Sequence, residues 1–163
     1  KHYETGEVIP MDLIEKIKES ATFHEGMQTL RQISFGLLDM SWHAGESPET
    51  IKNVKTHETE AFKNTNLFPE VEENCMSTSF SHIFQGGYSA GYYSYKWAEV
   101  LDADAFEYFK EEGIFNKEVA DKFKNNVLSK GGTEEPMELY KRFRGKEPKP
   151  DALLRRAGLI DKN

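Results

Sequence analysis

The chain lacks several features on which whole classes of protein depend. Cys75 is the only cysteine among the 163 residues, which excludes an internal disulfide and a cysteine-based zinc cluster. No apolar run approaches the length of a membrane-spanning helix, and no signal sequence is visible. We therefore expect no membrane partner, and we expect Cys75 to pack as a small hydrophobic residue.

Positive charge is also scarce. The chain carries 21 lysines and arginines against 28 aspartates and glutamates, which gives a net charge of -7 and a pI near 5.3. Proteins that bind nucleic acids need a basic surface against the phosphate backbone. The charge balance therefore argues against a nucleic-acid partner, although it identifies no substrate.

The histidines are too few and too scattered to predict a catalytic zinc site. The His-Glu-x-x-His motif places two imidazoles one helical turn apart, with the glutamate as general base. His24-Glu25 is followed by Gln28 where the second histidine is required. His57-Glu58 is followed by Ala61 at the same point. We predict no metal ligands in this chain, and we expect His43 to pack against its helix or to cap it.

The spacing of apolar residues predicts an all-α fold. Leu13, Ile14 and Ile17 form a stripe that predicts a helix from Pro10 to about Ser20. A broader apolar arc predicts a second helix from about Phe23 to Trp42. No stretch alternates convincingly as a β-strand does. We expect one domain over residues 1–163, an irregular bundle of about seven or eight helices.

Local start signals predict where later elements begin. Ser47-Pro48 combines an N-cap residue with proline at the first helical position, which predicts a third helix ending at about Lys63. Residues 64–80 are expected to form a long connection, either functional or held by its neighbours. Asp102 or Asp104 is predicted to cap a later helix.

The stretch that organises the chain runs from Phe80 to Trp97, with the sequence FSHIFQGGYSAGYYSYKW. It contains His82, the adjacent glycines Gly86 and Gly87, and four tyrosines. Only glycine has free access to positive φ, so the glycine pair predicts a turn or the close approach of another backbone. The segment after it lacks proline, and we predict a helix over residues 87–101.

The helical spacing of the tyrosines allows two interpretations. Tyr88, Tyr92 and Tyr95 fall on one face of such a helix, while Tyr93 and Trp97 share a second face that is expected to be buried. Three phenol hydroxyls beside an imidazole can form a polar wall for a carbonyl-bearing ligand. An aromatic core stripe with satisfied hydroxyls is the alternative, and spacing alone favours it.

The same stretch, together with four other segments in the same order, resembles the C-terminal part of zinc metallopeptidases of the thimet oligopeptidase family. Within that family, the chain most resembles the bacterial peptidyl-dipeptidases of the Dcp type. The resemblance implies that the chain is the C-terminal part of a larger, mostly helical catalytic domain whose zinc-binding helix lies upstream. The four segments are HYETGE (residues 2–7), LLDMSWH (37–43), YKRFRGKEPKPDALL (140–154) and RRAGLI (155–160).

The resemblance also implies roles for individual residues. His82 and Tyr95 match catalytic residues that donate hydrogen bonds to the oxyanion formed during peptide hydrolysis. Tyr88 and Tyr92 match residues that hold the substrate, and Gly86-Gly87 matches a loop that contacts the substrate backbone. A phenol with an ordinary pKa remains protonated at neutral pH, so it can donate a hydrogen bond without ionising.

The function implied by the resemblance is that of a zinc-dependent peptidyl-dipeptidase, which releases C-terminal dipeptides from short peptides. Zinc is expected in the full-length enzyme, held by the missing N-terminal part, and this chain alone is expected to bind no zinc and to be inactive. Two alternatives remain open: an oligopeptidase of the same family that cuts internal bonds, and a non-catalytic helical interaction module. We expect a cytoplasmic location, with the periplasm as an alternative.

Overall fold

Helices account for all the regular structure in the computed structural model, which describes residues 1–45 and 47–161. The prediction of an all-α fold is confirmed. Eight α-helical segments are present in these residues, one of them a single turn. No helix among them is both long enough and apolar enough to cross a membrane.

The helices are numbered here in chain order. They are α1 (Met11–Ser20), α2 (Glu25–His43), α3 (Val54–Phe62), α4 (Ser81–Phe84), α5 (Ser94–Glu112), α6 (Lys117–Phe123), α7 (Pro136–Arg144) and α8 (Asp151–Arg156). Two short 3-10 turns lie at Pro48–Thr50 and Met76–Thr78, and a π-helical turn, Lys124–Leu128, follows α6.

The first two helices lie where periodicity predicts them, but the third begins later than predicted. The Ser47-Pro48 signal starts only the 3-10 turn at Pro48–Thr50. The N-cap of α3 is Asn53, whose Oδ1 accepts a hydrogen bond from the backbone N–H of Thr56 at 2.9 Å. A side-chain acceptor at this position satisfies an N–H group that has no partner within the helix.

The predicted helix over residues 87–101 is wrong for residues 87–93 and confirmed for residues 94–101. Residues 89–93 form turns, and α5 starts at Ser94 and continues without a break at Asp102 or Asp104. The expected burial of the face with Tyr93 and Trp97 is also wrong, because these side chains are 58% and 43% exposed. A tertiary contact explains the loss of helix at the start of this stretch, as described with the site below.

The chain divides into two compact units, Lys1–Lys96 and Trp97–Asn163. The core of the first unit is an aromatic and aliphatic cluster contributed by α2, α4 and the tyrosine stretch. Its buried members are Leu38, Phe80, Ile83 and Tyr92, with Phe35, Trp42, Ala61, Phe62 and Met76 packed against them.

The second unit has its own apolar core and a buried ion network. Ala105, Val119, Tyr140 and Phe143 form the core. The guanidinium of Arg144, a residue that is only 8% exposed, pairs with the carboxylates of Asp104 at 3.3 Å and Glu111 at 3.1 Å. The hydroxyl of Tyr140 donates to Asp104 Oδ2 at 2.7 Å. These contacts compensate the charges that the fold removes from water.

Replacing Phe143 by alanine should lower the free energy of unfolding of the second unit by about 3–5 kcal/mol. The Phe143 ring is buried and packs on Tyr108, Phe123 and Tyr140, so its removal leaves a cavity. Urea unfolding measures this loss. Phe115→Ala is the matched control, since Phe115 is 99% exposed, and its effect should stay within about 0.5 kcal/mol. Equal losses in the two variants contradict this assignment of the core.

Candidate functional site

A buried carboxylate on α2 holds residues 86–93, the tyrosine loop, which precedes α5. Asp39 has no exposed surface. Its Oδ1 accepts the backbone N–H of Ala90 at 2.9 Å, and its Oδ2 accepts the backbone N–H of Tyr92 at 2.8 Å. The imidazole Nδ1 of His43, one turn further along α2, lies 2.8 Å from Oδ1. These bonds take the N–H groups that a helix over this stretch would otherwise use, and they explain the turns in its place.

The glycine pair begins this loop in a left-handed backbone conformation. Gly86 and Gly87 have φ angles of 79° and 84°, which side chains with a Cβ rarely adopt. A Cβ placed on either glycine would meet no atom within 4 Å. Of the two predicted alternatives, the described residues therefore present a turn. Further along, the hydroxyl of Ser89 closes the loop by donating to the carbonyl of Ile83 at 2.7 Å.

A second buried carboxylate holds the segment before His82. Glu58 on α3 is 4% exposed. It accepts hydrogen bonds from the backbone N–H of Met76 at 2.8 Å, and from the N–H and hydroxyl of Ser77 at 2.6 and 2.7 Å. The indole N–H of Trp42 donates to the Ser77 hydroxyl at 3.1 Å. The end of the long connection before His82 is thus held by its neighbours.

Four of the predicted side chains pack against one another. The ring of His82 packs edge-on against Tyr88, with centroids 4.7 Å apart, and against Tyr95 at 5.8 Å. Tyr88 stacks on Tyr95 with centroids 5.4 Å apart and an interplanar angle of 14°. Tyr92 lies under both, 5.7 Å from His82 and 5.2 Å from Tyr95. The four are called the tyrosine–histidine cluster below.

The outer part of the cluster offers polar atoms to solvent. Tyr95 is 39% exposed and His82 is exposed as well, while Tyr88 is half-buried. The hydroxyl of Tyr95 lies 3.2 Å from His82 Nε2, a hydrogen bond whose donor depends on the imidazole tautomer. Both atoms can therefore reach the same side of an incoming ligand.

Tyr92 differs from the other two tyrosines. It is only 8% exposed, belongs to the core of the first unit, and packs on Phe35 and Phe80. Its hydroxyl donates to Oε1 of Gln32 on α2 at 2.9 Å. The single phenolic proton is therefore engaged inside the protein. The aromatic-core interpretation describes Tyr92 well, and it describes Tyr95 poorly.

The hydroxyls of Tyr92 and Tyr95 remain protonated at neutral pH. Hydrogen bonding to Tyr88 raises the pKa of Tyr95, and desolvation and the neighbouring phenols act in the same direction. Burial raises the pKa of Tyr92, against a smaller opposing effect of the Arg31 charge. A protonated phenol is the form that donates a hydrogen bond to a carbonyl oxygen or an oxyanion.

Sequence reasoning missed Asp39 and Gln32, which position the cluster from α2. A signal for Asp39 is present in the sequence, because an aspartate within the apolar arc of a helix must find buried donors. Its partners lie 51 and 53 residues away, and no local pattern identifies them. Gln32 carries no comparable signal.

Comparison with known proteins identifies the family. The model of peptidase family M3 matches residues 1–159. The chain belongs to peptidase family M3. Oligopeptidase A of Escherichia coli (strain K12) is 47% identical over 158 residues, which are 97% of this chain and 23% of that protein. An organellar oligopeptidase A of Arabidopsis thaliana is 42% identical over 164 residues, 98% of this chain and 21% of that protein.

The comparisons correct the expected position within the family. Dipeptidyl carboxypeptidase of Escherichia coli (strain K12) is 36% identical over 160 residues, 98% of this chain and 24% of that protein. The chain is thus more similar to oligopeptidases A than to this peptidase, and the expected closeness to the Dcp type is wrong. The chain spans about a quarter of the length of these M3 relatives.

Acidification should weaken the Glu58 anchor. Burial alone raises the pKa of Glu58, but hydrogen bonds from Ser77 and Met76 outweigh it and leave the pKa below the ordinary value of 4.5. A lowered folded-state pKa contributes stability above pH 4.5, and this contribution is lost as the pH falls through the folded-state value. Glu58→Gln should therefore lower the thermal midpoint at neutral pH, and the difference from wild type should shrink in acid.

Differential scanning calorimetry between about pH 7 and pH 3 measures this difference. Glu60→Gln is the control, because the Glu60 side chain is 68% exposed and pairs with Lys63, three residues further along the chain. Exposed pairs of this kind contribute little. If the difference in thermal midpoint between Glu58→Gln and wild type stays constant with pH, the charged Glu58 carboxylate has no stabilising role.

Proposed function

We propose that this chain forms the substrate-contacting wall of a peptidase that hydrolyses peptide bonds in short peptides. The observation that carries the proposal is the exposed pair of Tyr95 Oη and His82 Nε2, 3.2 Å apart, in a chain of peptidase family M3. Family membership favours this function over a non-catalytic interaction module. The activity itself belongs to the whole protein, of which the chain is one part.

The pair is suited to receive a developing negative charge. Hydrolysis of a peptide bond converts the carbonyl oxygen into an oxyanion, and donors already in place stabilise it without reorganising. An oxygen about 2.8 Å from each of two donors satisfies ordinary hydrogen-bond geometry. Two atoms separated by 3.2 Å can both reach such an oxygen when they exchange their mutual hydrogen bond for bonds to it. We assign this role to Tyr95 and to His82 with its Nε2 protonated.

The remaining members of the site bind the substrate in this proposal. The half-buried ring of Tyr88 stacks beside Tyr95 and offers its edge and hydroxyl to a peptide. Gly86-Gly87 is exposed and has open space around it, so a peptide backbone can approach its amide groups. Tyr92 supports the cluster from below and contributes ring surface, since its proton is engaged by Gln32.

Zinc is the metal that the family resemblance implies for the complete enzyme. No three or more His, Cys, Asp or Glu side chains within residues 1–45 and 47–161 are arranged to hold a metal ion. We place the zinc ligands in the part of the protein outside this chain, and we expect this chain alone to be inactive.

The cleavage mode that we favour is that of an oligopeptidase, which cuts internal bonds. Greater similarity to oligopeptidases A than to dipeptidyl carboxypeptidase supports it. Release of C-terminal dipeptides is the second candidate, supported by the 36% identity to dipeptidyl carboxypeptidase. We place the enzyme in the cytoplasm, because one relative from Arabidopsis thaliana is named "Probable cytosolic oligopeptidase A".

Removing the Tyr95 hydroxyl should slow turnover in the full protein. Loss of one oxyanion donor typically lowers kcat about a hundred- to a thousandfold, so Tyr95→Phe should act on kcat and leave KM nearly unchanged. Steady-state kinetics on a quenched fluorescent peptide measures both constants. Tyr93→Phe is the matched control, because Tyr93 is 58% exposed and lies outside the cluster. An effect of Tyr95→Phe on KM alone reassigns Tyr95 to substrate binding.

The C-terminus of the substrate separates the two cleavage modes. Dipeptide release needs a free terminal carboxylate, whereas internal cleavage tolerates an amide at that position. The full protein should therefore cut a nonamer with a free C-terminus and its amidated counterpart at similar rates and at the same internal bonds. Mass spectrometry identifies the products. Cleavage confined to the free acid, with dipeptides as the products, establishes the dipeptidase mode instead.

A further inference from the structure

We propose that Asp39 is the positioning residue that sets the geometry of the tyrosine–histidine cluster. The inference rests on the proposed function, since it assigns a residue to the same site. Asp39 has no exposed surface, so it cannot touch a substrate directly. It acts through the loop that it holds.

The loop needs an external restraint. Ala90 adopts a φ angle of 54°, a left-handed conformation that the Cβ of an L-residue disfavours. The Asp39 carboxylate accepts the N–H of Ala90 itself and the N–H of Tyr92 two residues later. The Asp39 side chain therefore restrains the backbone at Ala90, which has the left-handed conformation, and again at Tyr92.

The restraint on Tyr92 comes from two positions on one face of α2. Asp39 accepts its backbone N–H at 2.8 Å, and Gln32 accepts its hydroxyl at 2.9 Å. Residues 32 and 39 are seven apart, so they lie two turns apart on the same side of the helix. Tyr92 is thereby held at both its main chain and the tip of its side chain, and helix α2 sets its position.

Tyr92 contacts Tyr95 and His82, the two residues that we assign to the reaction, so its position affects theirs. Its ring lies 5.2 Å from that of Tyr95 and 5.7 Å from that of His82. The backbone N–H of Tyr95 also donates to the carbonyl of Tyr92 at 3.3 Å, at the start of α5. A shift of the loop therefore moves the Tyr95 hydroxyl relative to His82 Nε2.

Asp39→Asn tests this role with little change in volume. An asparagine presents one oxygen and one NH₂ group where the carboxylate presents two oxygens. One of the two loop N–H groups therefore faces a donor and loses its bond. Because a misplacement of about 1 Å can cost about a hundredfold in rate, we expect kcat of the full protein to fall about ten- to a hundredfold, with KM changed much less.

Asp104→Asn is the matched control. It is the same substitution at a carboxylate that is also buried, with 4% exposure, and that also accepts bonds, from Tyr140 and Arg144. Asp104 belongs to the second unit, whereas the cluster belongs to the first. We expect it to lower the thermal midpoint and to leave kcat within about twofold of wild type.

Hydrogen exchange followed by mass spectrometry supplies a readout that is independent of activity. In the full wild-type protein, the amides of Ala90 and Tyr92 should exchange slowly, because both donate to a buried carboxylate. Asp39→Asn should accelerate exchange over residues 88–93 at least about tenfold, and Asp104→Asn should leave this segment unchanged. Rapid wild-type exchange at both amides overturns the proposal without any variant, even where Asp39→Asn does not fold.

The two arms separate the failure of this inference from the failure of the proposed function. Faster exchange over residues 88–93 together with a selective fall in kcat supports the role of Asp39. Unchanged exchange, or equal losses of kcat in Asp39→Asn and Asp104→Asn, overturns it. A wild-type protein without peptidase activity removes the proposed function, while the exchange measurement still decides whether Asp39 holds the loop.

Discussion

The geometry of the site depends on the hydrogen bonds that the buried carboxylate of Asp39 accepts from the backbone. A carboxylate removed from water must find donors, and two of those that Asp39 finds are backbone N–H groups of the tyrosine loop. Glu58 does the same for the segment before His82. Glu58 therefore holds the chain before His82, and Asp39 holds the chain between Tyr88 and Tyr95. The aromatic rings of the cluster pack against one another.

Local signals were sufficient for much of the fold. The apolar stripes of α1 and α2 depend on contacts three and four residues apart, and the structure places both helices where periodicity predicts them. The turns at residues 89–93 could not be predicted in this way. They exist because a side chain more than fifty residues earlier competes for the N–H groups that a helix would use.

The sequence predicts which residues form the candidate site more readily than it predicts how they are arranged. A helical face was expected to align Tyr88, Tyr92 and Tyr95, whereas the structure brings them together around His82 through a turn. The burial of Tyr92 and its bond to Gln32 are tertiary features that spacing does not encode. The motif also could not separate oligopeptidases from dipeptidyl carboxypeptidases, because relatives of both kinds align with nearly the whole chain.

The central claim is that Tyr95 and His82 face the carbonyl group under attack. A crystal structure of the full protein with a bound phosphinic peptide, whose tetrahedral phosphorus mimics the attacked carbon, tests this claim most directly. We predict one phosphinyl oxygen within about 3.2 Å of both Tyr95 Oη and His82 Nε2. An inhibitor whose phosphinyl oxygens all lie more than about 4 Å from both atoms contradicts the account.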